Sequence, residues 1–275
     1  SDTDSIYLHM GDLVEAVYKG REKTTEGIVG FLNKVCEVEL EPYIESSYQE
    51  LADYVNAYDQ KMIMKRENIA DRGIWTAKKR YILNVWDSEG VRYEQAKLKI
   101  MGIEAIKTST PAPCRTMLKD AFKLLMTGTE DEVIDYIEKC RSEFKNFPPE
   151  EVGFPRSVNN LQKYKGVSDI YNKGTPINVR GALLFNHYIK KNNLEHKYSA
   201  IQNGEKIRFC YLKTPNWMHE NVISYIQDLP KELDLHKHVD YDLQFEKAFL
   251  EPIKVILNCI GWETERKNTL ESFFS

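Results

Sequence analysis

The sequence predicts an α+β chain in which a strand-rich region with one long helical insert precedes a mostly helical region. Three observations predict this. Runs rich in β-branched and aromatic residues, bounded by turn residues, cluster between 61 and 104. Apolar residues recur at helical spacing near 24–56, 112–144 and 241–260. The character of the chain changes at Thr108, and the boundary is placed there, dividing 1–108 from 109–275.

Taken in order, SIYLH at 5–9 reads as a short strand. From Thr24 to Asn56 the apolar residues Ile28, Phe31, Leu32, Val35, Ile44, Tyr48, Leu51 and Val55 mark a helix that Pro42 should kink or split. KMIMKRE at 61–67 reads as a strand, and IWTAKKRYILNVW at 74–86 as a longer one. DSEG at 87–90 is a turn, VRY begins the return, and KLKIMGIE at 97–104 is a further strand with Gly102 as a bulge. Beyond Thr108, Pro111 suits an early helical position after Ser109 or Thr110 as cap. Met117, Leu118, Ala121, Phe122 and Leu125 then share one helix face, and Gly128 ends it. Thr129 and Glu132 have capping-box spacing for a second helix that turns Val133, Ile134, Ile137 and Cys140 inward. FPPEEVGFP at 147–155 breaks that helix. EKIRFCYLK at 205–213 reads as a strand, and Tyr241 to Ile260 as a last helix.

Composition narrows the function classes. Apolar residues at 42% suffice for a core, and charged residues at 29% speak for a soluble chain. No run approaches the ~18 apolar residues of a membrane span, and no secretory leader is expected at the start. Five widely spaced cysteines without a CxxC pair fit free thiols in a reducing cytoplasm. The formal net charge of -4 argues against a generic nucleic-acid binder, yet the charge is unevenly placed. Residues 1–60 carry 13 acids against 4 bases, and residues 61–108 carry 11 bases against 6 acids, so the second stretch has the charge to meet an anionic partner.

Several residues could carry chemistry. Asp2 and Asp4 are one residue apart, so on a strand their carboxylates share a face and could serve Mg²⁺, which takes one or two carboxylates plus water and phosphate. Read alone, that pair is more often a surface turn. Glu67 could add a third carboxylate; the plain alternative is an exposed strand-end acid. Lys78, Lys79 and Arg80 precede Tyr81 in a predicted strand, where three adjacent cations call for an anion over them. Alternation would set Lys79 on the face of Trp75, Ala77, Tyr81 and Leu83, with Lys78 and Arg80 opposite. Lys79 could instead snorkel. His236 and His238 read as surface residues, since no third ligand is near in sequence.

At these residues the sequence resembles a known family. SDTDSIYL looks like motif C of family B DNA polymerases, and GIWTAKKRYILNVWD looks like their lysine-lysine-arginine-tyrosine strand. LKIMGIE followed by TSTP is similar to the segment that leads from palm to thumb, and MKRENIA to the palm strand with a third acid. PINVRGALLFN resembles a thumb segment, and TLESFF the tail that docks on a sliding clamp. The likeness is to replicative polymerases of T-even-type phages and is loosest over about 150–240. Two departures stand out: Lys65 lies where the relatives tend to have an acid, and Ser1 where they have glycine.

The resemblance implies the C-terminal half of a palm, an antiparallel sheet with a long helix, over 1–108, and a thumb with a clamp-binding tail over 109–275. It implies Asp4 as a Mg²⁺ ligand, Asp2 as its supporting acid and Glu67 as a nearby palm carboxylate. Lys79 and Tyr81 would contact the primer end, Lys78 and Arg80 would support that strand, and Lys99, Ser109 and Thr110 would hold the primer backbone. Leu270, Phe273 and Phe274 would anchor on the clamp. The implied activity is DNA-directed DNA synthesis for phage replication in the cytoplasm of an infected bacterium. A two-metal site would be completed by a partner chain bearing exonuclease, fingers and motif A. Primer-template DNA, dNTP and the clamp would be the other partners, with no membrane. This reading expects the first strand to pair with that partner chain. The alternative from another class is a non-catalytic module that grips DNA and docks on the clamp. An unrelated metal-dependent phosphatase is a third reading, against which the lysine-rich strand counts.

Overall fold

The computed structural model describes residues 5–266. The chain divides into two compact units, Ser1–Met101 and Gly102–Ser275. Helices and two small antiparallel sheets build them, which is the α+β class that the sequence predicts.

The first unit opens with α1 (Gly11–Val17), α2 (Thr25–Val35) and α3 (Glu41–Tyr54). Thr24 caps α2, its side chain accepting from the Gly27 N–H at 3.2 Å. Pro42 does not split the helix. Residues Cys36–Leu40 form a π-helical turn in which the Glu41 N–H reaches the Cys36 carbonyl, five residues back, and the helix runs on. A wider turn at this point accommodates a residue that has no N–H and whose ring crowds the carbonyl four residues back.

Three strands follow: β1 (Asn68–Ala77), β2 (Arg80–Ser88) and β3 (Val91–Met101), paired in that order. Residues 61–67 lie outside the sheet. There the Gln60 side chain donates to the Met62 carbonyl at 2.8 Å, and Ile63 is exposed, so the apolar residues of that stretch meet no sheet. Residues 6–9 are likewise not in a strand. The stretch 74–86 is not one strand but the two arms of a hairpin: Ala77 pairs with Arg80, and Lys78 and Lys79 form its turn, Lys79 at φ +60°. Lys79 therefore shares no alternating strand face with Trp75 and Tyr81. The β-rich composition is the same on both sides of the turn, and neither turn residue is a usual turn former. Gly73 is needed where it is: a Cβ there would lie 2.6 Å from the Trp75 ring, which lies over the sheet at that point.

In the second unit, α4 (Ala112–Thr127) begins after Pro111, with Pro113 as its early proline, so neither Ser109 nor Thr110 caps it. It packs on α5 (Glu130–Phe144), which opens with the expected capping box: the Thr129 N–H donates to the Glu132 carboxylate at 2.8 Å. The inward faces of both helices are the ones that periodicity predicts. Short α6 (Pro149–Val152), β4 (Phe154–Ser157) and α7 (Leu161–Tyr164) lead to α8 (Ile177–Lys191). β5 (Lys206–Tyr211) pairs with β4 on one side and β6 (Val222–Tyr225) on the other, and α8 lies on β6. Gly181 allows that approach, because a Cβ would sit 2.4 Å from the Ser224 hydroxyl. α9 (Tyr241–Phe245) and α10 (Glu251–Cys259) are joined by a second π-helical turn, Glu246–Leu250, again just before a proline, Pro252. Phe122, Phe144, Phe245 and Phe249 are fully buried, the rings of Phe245 and Phe249 stacked at 4.9 Å. Buried Gln244 accepts from the Tyr211 N–H at 3.1 Å and donates to the Val152 carbonyl at 2.7 Å, tying α9 to β5 and α6.

Candidate functional site

Two parts of the first unit carry the residues that the sequence singles out. The first is the tip of the β1–β2 hairpin. Lys78 and Lys79 are exposed there, and Arg80 and Tyr81 are half-buried at the start of β2. Cross-strand pairing sets Trp75 opposite Tyr81, and Tyr7 joins them, edge-on to Trp75 at 5.1 Å and to Tyr81 at 5.8 Å. The cluster fixes the tyrosine beside two cations on a projecting turn. A flat aromatic side chain and flexible ammonium groups together suit a sugar-phosphate backbone.

The second is the pair Glu67 and Lys99. Glu67 immediately precedes β1, and its carbonyl accepts from the Glu89 N–H at 2.7 Å. Lys99 lies opposite Leu83 in the sheet, and its ammonium forms an ion pair with the Glu67 carboxylate. The hydrogen bond from Lys99 holds the Glu67 carboxyl below its ordinary range, opposed by partial burial. That these two expected site residues meet was not legible in the sequence, since 31 residues separate them.

Behind this pair is a cluster that sequence reading missed. Asp87 is buried and pairs with the guanidinium of Arg66, which also donates to the Asn33 side chain at 2.6 Å. Arg92 lies 3.7 Å from the other Asp87 oxygen, and the Gly90 N–H donates to Asp87 at 3.0 Å. The Arg66 N–H donates to Glu41 at 3.1 Å, so the same residue ties α3 to the entry of β1. The DSEG turn was legible; the burial of its first residue was not.

Ser109 and Thr110 belong to the second unit. Thr110 is 5% exposed, and the Ser109 carbonyl accepts from Arg156 at 2.8 Å. Arg156 thus sits beside an expected backbone contact without a motif to mark it. Asp2, Asp4, Leu270, Phe273 and Phe274 lie outside the described residues. Among the described residues no group of three or more His, Cys, Asp or Glu could hold a metal ion, and Glu67 faces an ammonium group. No described helix is long and apolar enough to cross a membrane.

Comparison with known proteins adds the missing context. The chain is 32% identical to a DNA-directed DNA polymerase of Escherichia phage RB69 and 29% identical to one of Enterobacteria phage T4. Each match covers 99% of this chain and 31% of the relative. No protein-family model matches the chain. The chain is therefore similar over nearly its whole length to a stretch of about a third of these two phage polymerases.

Proposed function

We propose that this chain is the C-terminal part of a phage DNA-directed DNA polymerase, supplying half of the palm and the thumb. The observation that carries the reading is the similarity over 99% of the chain to two such polymerases. The exposed Lys78–Lys79 turn with Tyr81 beside it supports the assignment of that hairpin to the primer end. Lys99, Ser109 and Thr110 are assigned to the primer backbone.

Asp2 and Asp4 are assigned to Mg²⁺, and Glu67 to the edge of the same centre. When bound, a pair of such ions supplies charge stabilisation at the attacking and leaving oxygens of nucleotidyl transfer. The chain's own residues bind and orient the primer strand. Lys78, Lys79 and Arg80 neutralise phosphates, and Tyr81 positions the terminal sugar. Activity needs the fingers, motif A and the other palm half, whether these belong to the same polypeptide or to a second one. Leu270, Phe273 and Phe274 are assigned to the sliding clamp, and the site of action to the cytoplasm of an infected bacterium.

The test is primer extension with Mg²⁺ and dNTPs, using this chain with and without the polypeptide that matches the rest of the relatives. Synthesis in the mixture, abolished by Asp4→Ala with duplex binding retained, is the expected result. Near-normal extension by the Asp4→Ala mixture would sink the metal assignment. No synthesis in any mixture, with duplex binding intact, would leave a module that grips DNA and docks on the clamp.

A further inference from the structure

The helices of the first unit bury almost nothing. α1 has no buried residue, α2 only Val29 and α3 only Ala52. Helices of this kind draw most of their stability from an apolar face packed against something. Here Tyr43, Leu51, Tyr54 and Val55 all stand exposed, Tyr43 at 72% and Tyr54 at 88%. At 100° per residue they fall within about a third of the circumference of α3 and its end. The stripe runs into a mostly apolar groove of about 300 Å³ lined by Leu51, Val55, Ala57 and Met62, with Asp59 and Lys61 also on its wall. An exposed apolar surface of this continuity marks a contact surface.

The occupant follows from two facts. The relatives are about three times as long as the stretch matched, so some two thirds of their length is polypeptide outside this sequence. The helices are also acidic: α1 carries Asp12 and Glu15, and α3 carries Glu41, Glu45, Glu50 and Asp53 without a base, which favours a partner surface with a cationic rim. We propose that the α3 stripe and its groove dock an apolar, cation-rimmed surface of the remaining polymerase polypeptide. The inference rests on the polymerase reading above. It adds a contact surface made of residues other than those assigned to metal or primer.

The test pairs Leu51→Asp with Tyr54→Asp in this chain. Both side chains are exposed, so the variant is expected to fold, and circular dichroism together with unchanged duplex binding verifies that it does. Its affinity is measured against the polypeptide of the same source that matches the other two thirds of the relatives. A loss of about tenfold or more relative to the unmodified chain is the expected result. Undiminished binding overturns the inference and leaves the polymerase reading intact. A dimer of this chain that the variant turns into monomer, with binding of that polypeptide unchanged, also overturns it. An unmodified chain that neither binds that polypeptide nor supports primer extension with it overturns both. A tyrosine control, Tyr58→Asp, lies past the end of α3 and is expected to weaken binding less.

Discussion

Asp87 keeps only 2% of its side-chain surface in contact with solvent, and Arg66 11%. A pair this deep contributes little net stability compared with an apolar substitute, but removing one partner strands the other charge. Asp87→Ala is expected to cost about 3–5 kcal/mol. Urea denaturation followed by tryptophan fluorescence measures it, since Trp75 and Trp86 both lie in this sheet. A loss below about 1 kcal/mol would mean that Arg66 finds water instead. Glu67 and Lys99 behave differently, because over half of the Glu67 side chain is exposed. Its carboxyl is held low, so whatever the pair contributes is present above the ordinary value of 4.5 and is lost as pH falls through the lowered folded value. Neither pairing was legible in the sequence, because each joins residues more than 20 positions apart. The Lys78–Lys79 turn was hidden for another reason: it has no glycine, asparagine or proline to announce it.

The elements were more readable where their signals are local. The Thr129–Glu132 box and the inward face of α5 were legible because cap and period both act within four residues. Pro42 was expected to kink or split its helix, and the structure shows how two helices run on through such a proline. Before both Pro42 and Pro252 a single wide turn shifts the hydrogen bonds by one residue, and the helix continues. This device makes a specific prediction. Pro42→Ala should change stability by less than about 1 kcal/mol, because the turn already accommodates the ring. Glu45→Pro, placed inside α3 with no such turn before it, should cost about 3 kcal/mol or more and reduce helix content. Thermal melts followed by far-ultraviolet circular dichroism distinguish the two. Equal losses would mean that the wide turn has some other cause.

At the scale of the whole molecule, the α+β class was legible from helical periodicity and from the β-branched and aromatic runs, but the second sheet was largely not. β4 and β6 have four residues each, too few to show alternation, and 48 residues intervene between β4 and their partner β5. Among the described residues, the strands of each compact unit, Ser1–Met101 and Gly102–Ser275, pair within that unit. The tail assignment belongs to this scale, since it concerns a partner of the entire enzyme. Deleting residues 270–275 is expected to shorten the products made per binding event in the presence of the clamp and to leave synthesis without the clamp unchanged. Product lengths at single-hit template excess measure both. Equal loss in the two conditions would assign Leu270, Phe273 and Phe274 to packing instead.

The Lys79 backbone, at φ +60°, has a consequence for how this chain would evolve. A lysine in that conformation costs roughly 1 kcal/mol relative to glycine. Selection of random variants for heat resistance alone should therefore recover Lys79→Gly repeatedly, whereas selection for the proposed primer contact should purge it. The two selections pull one position in opposite directions, and a hairpin tip that is poorly suited to its own turn then becomes the mark of use rather than of neglect.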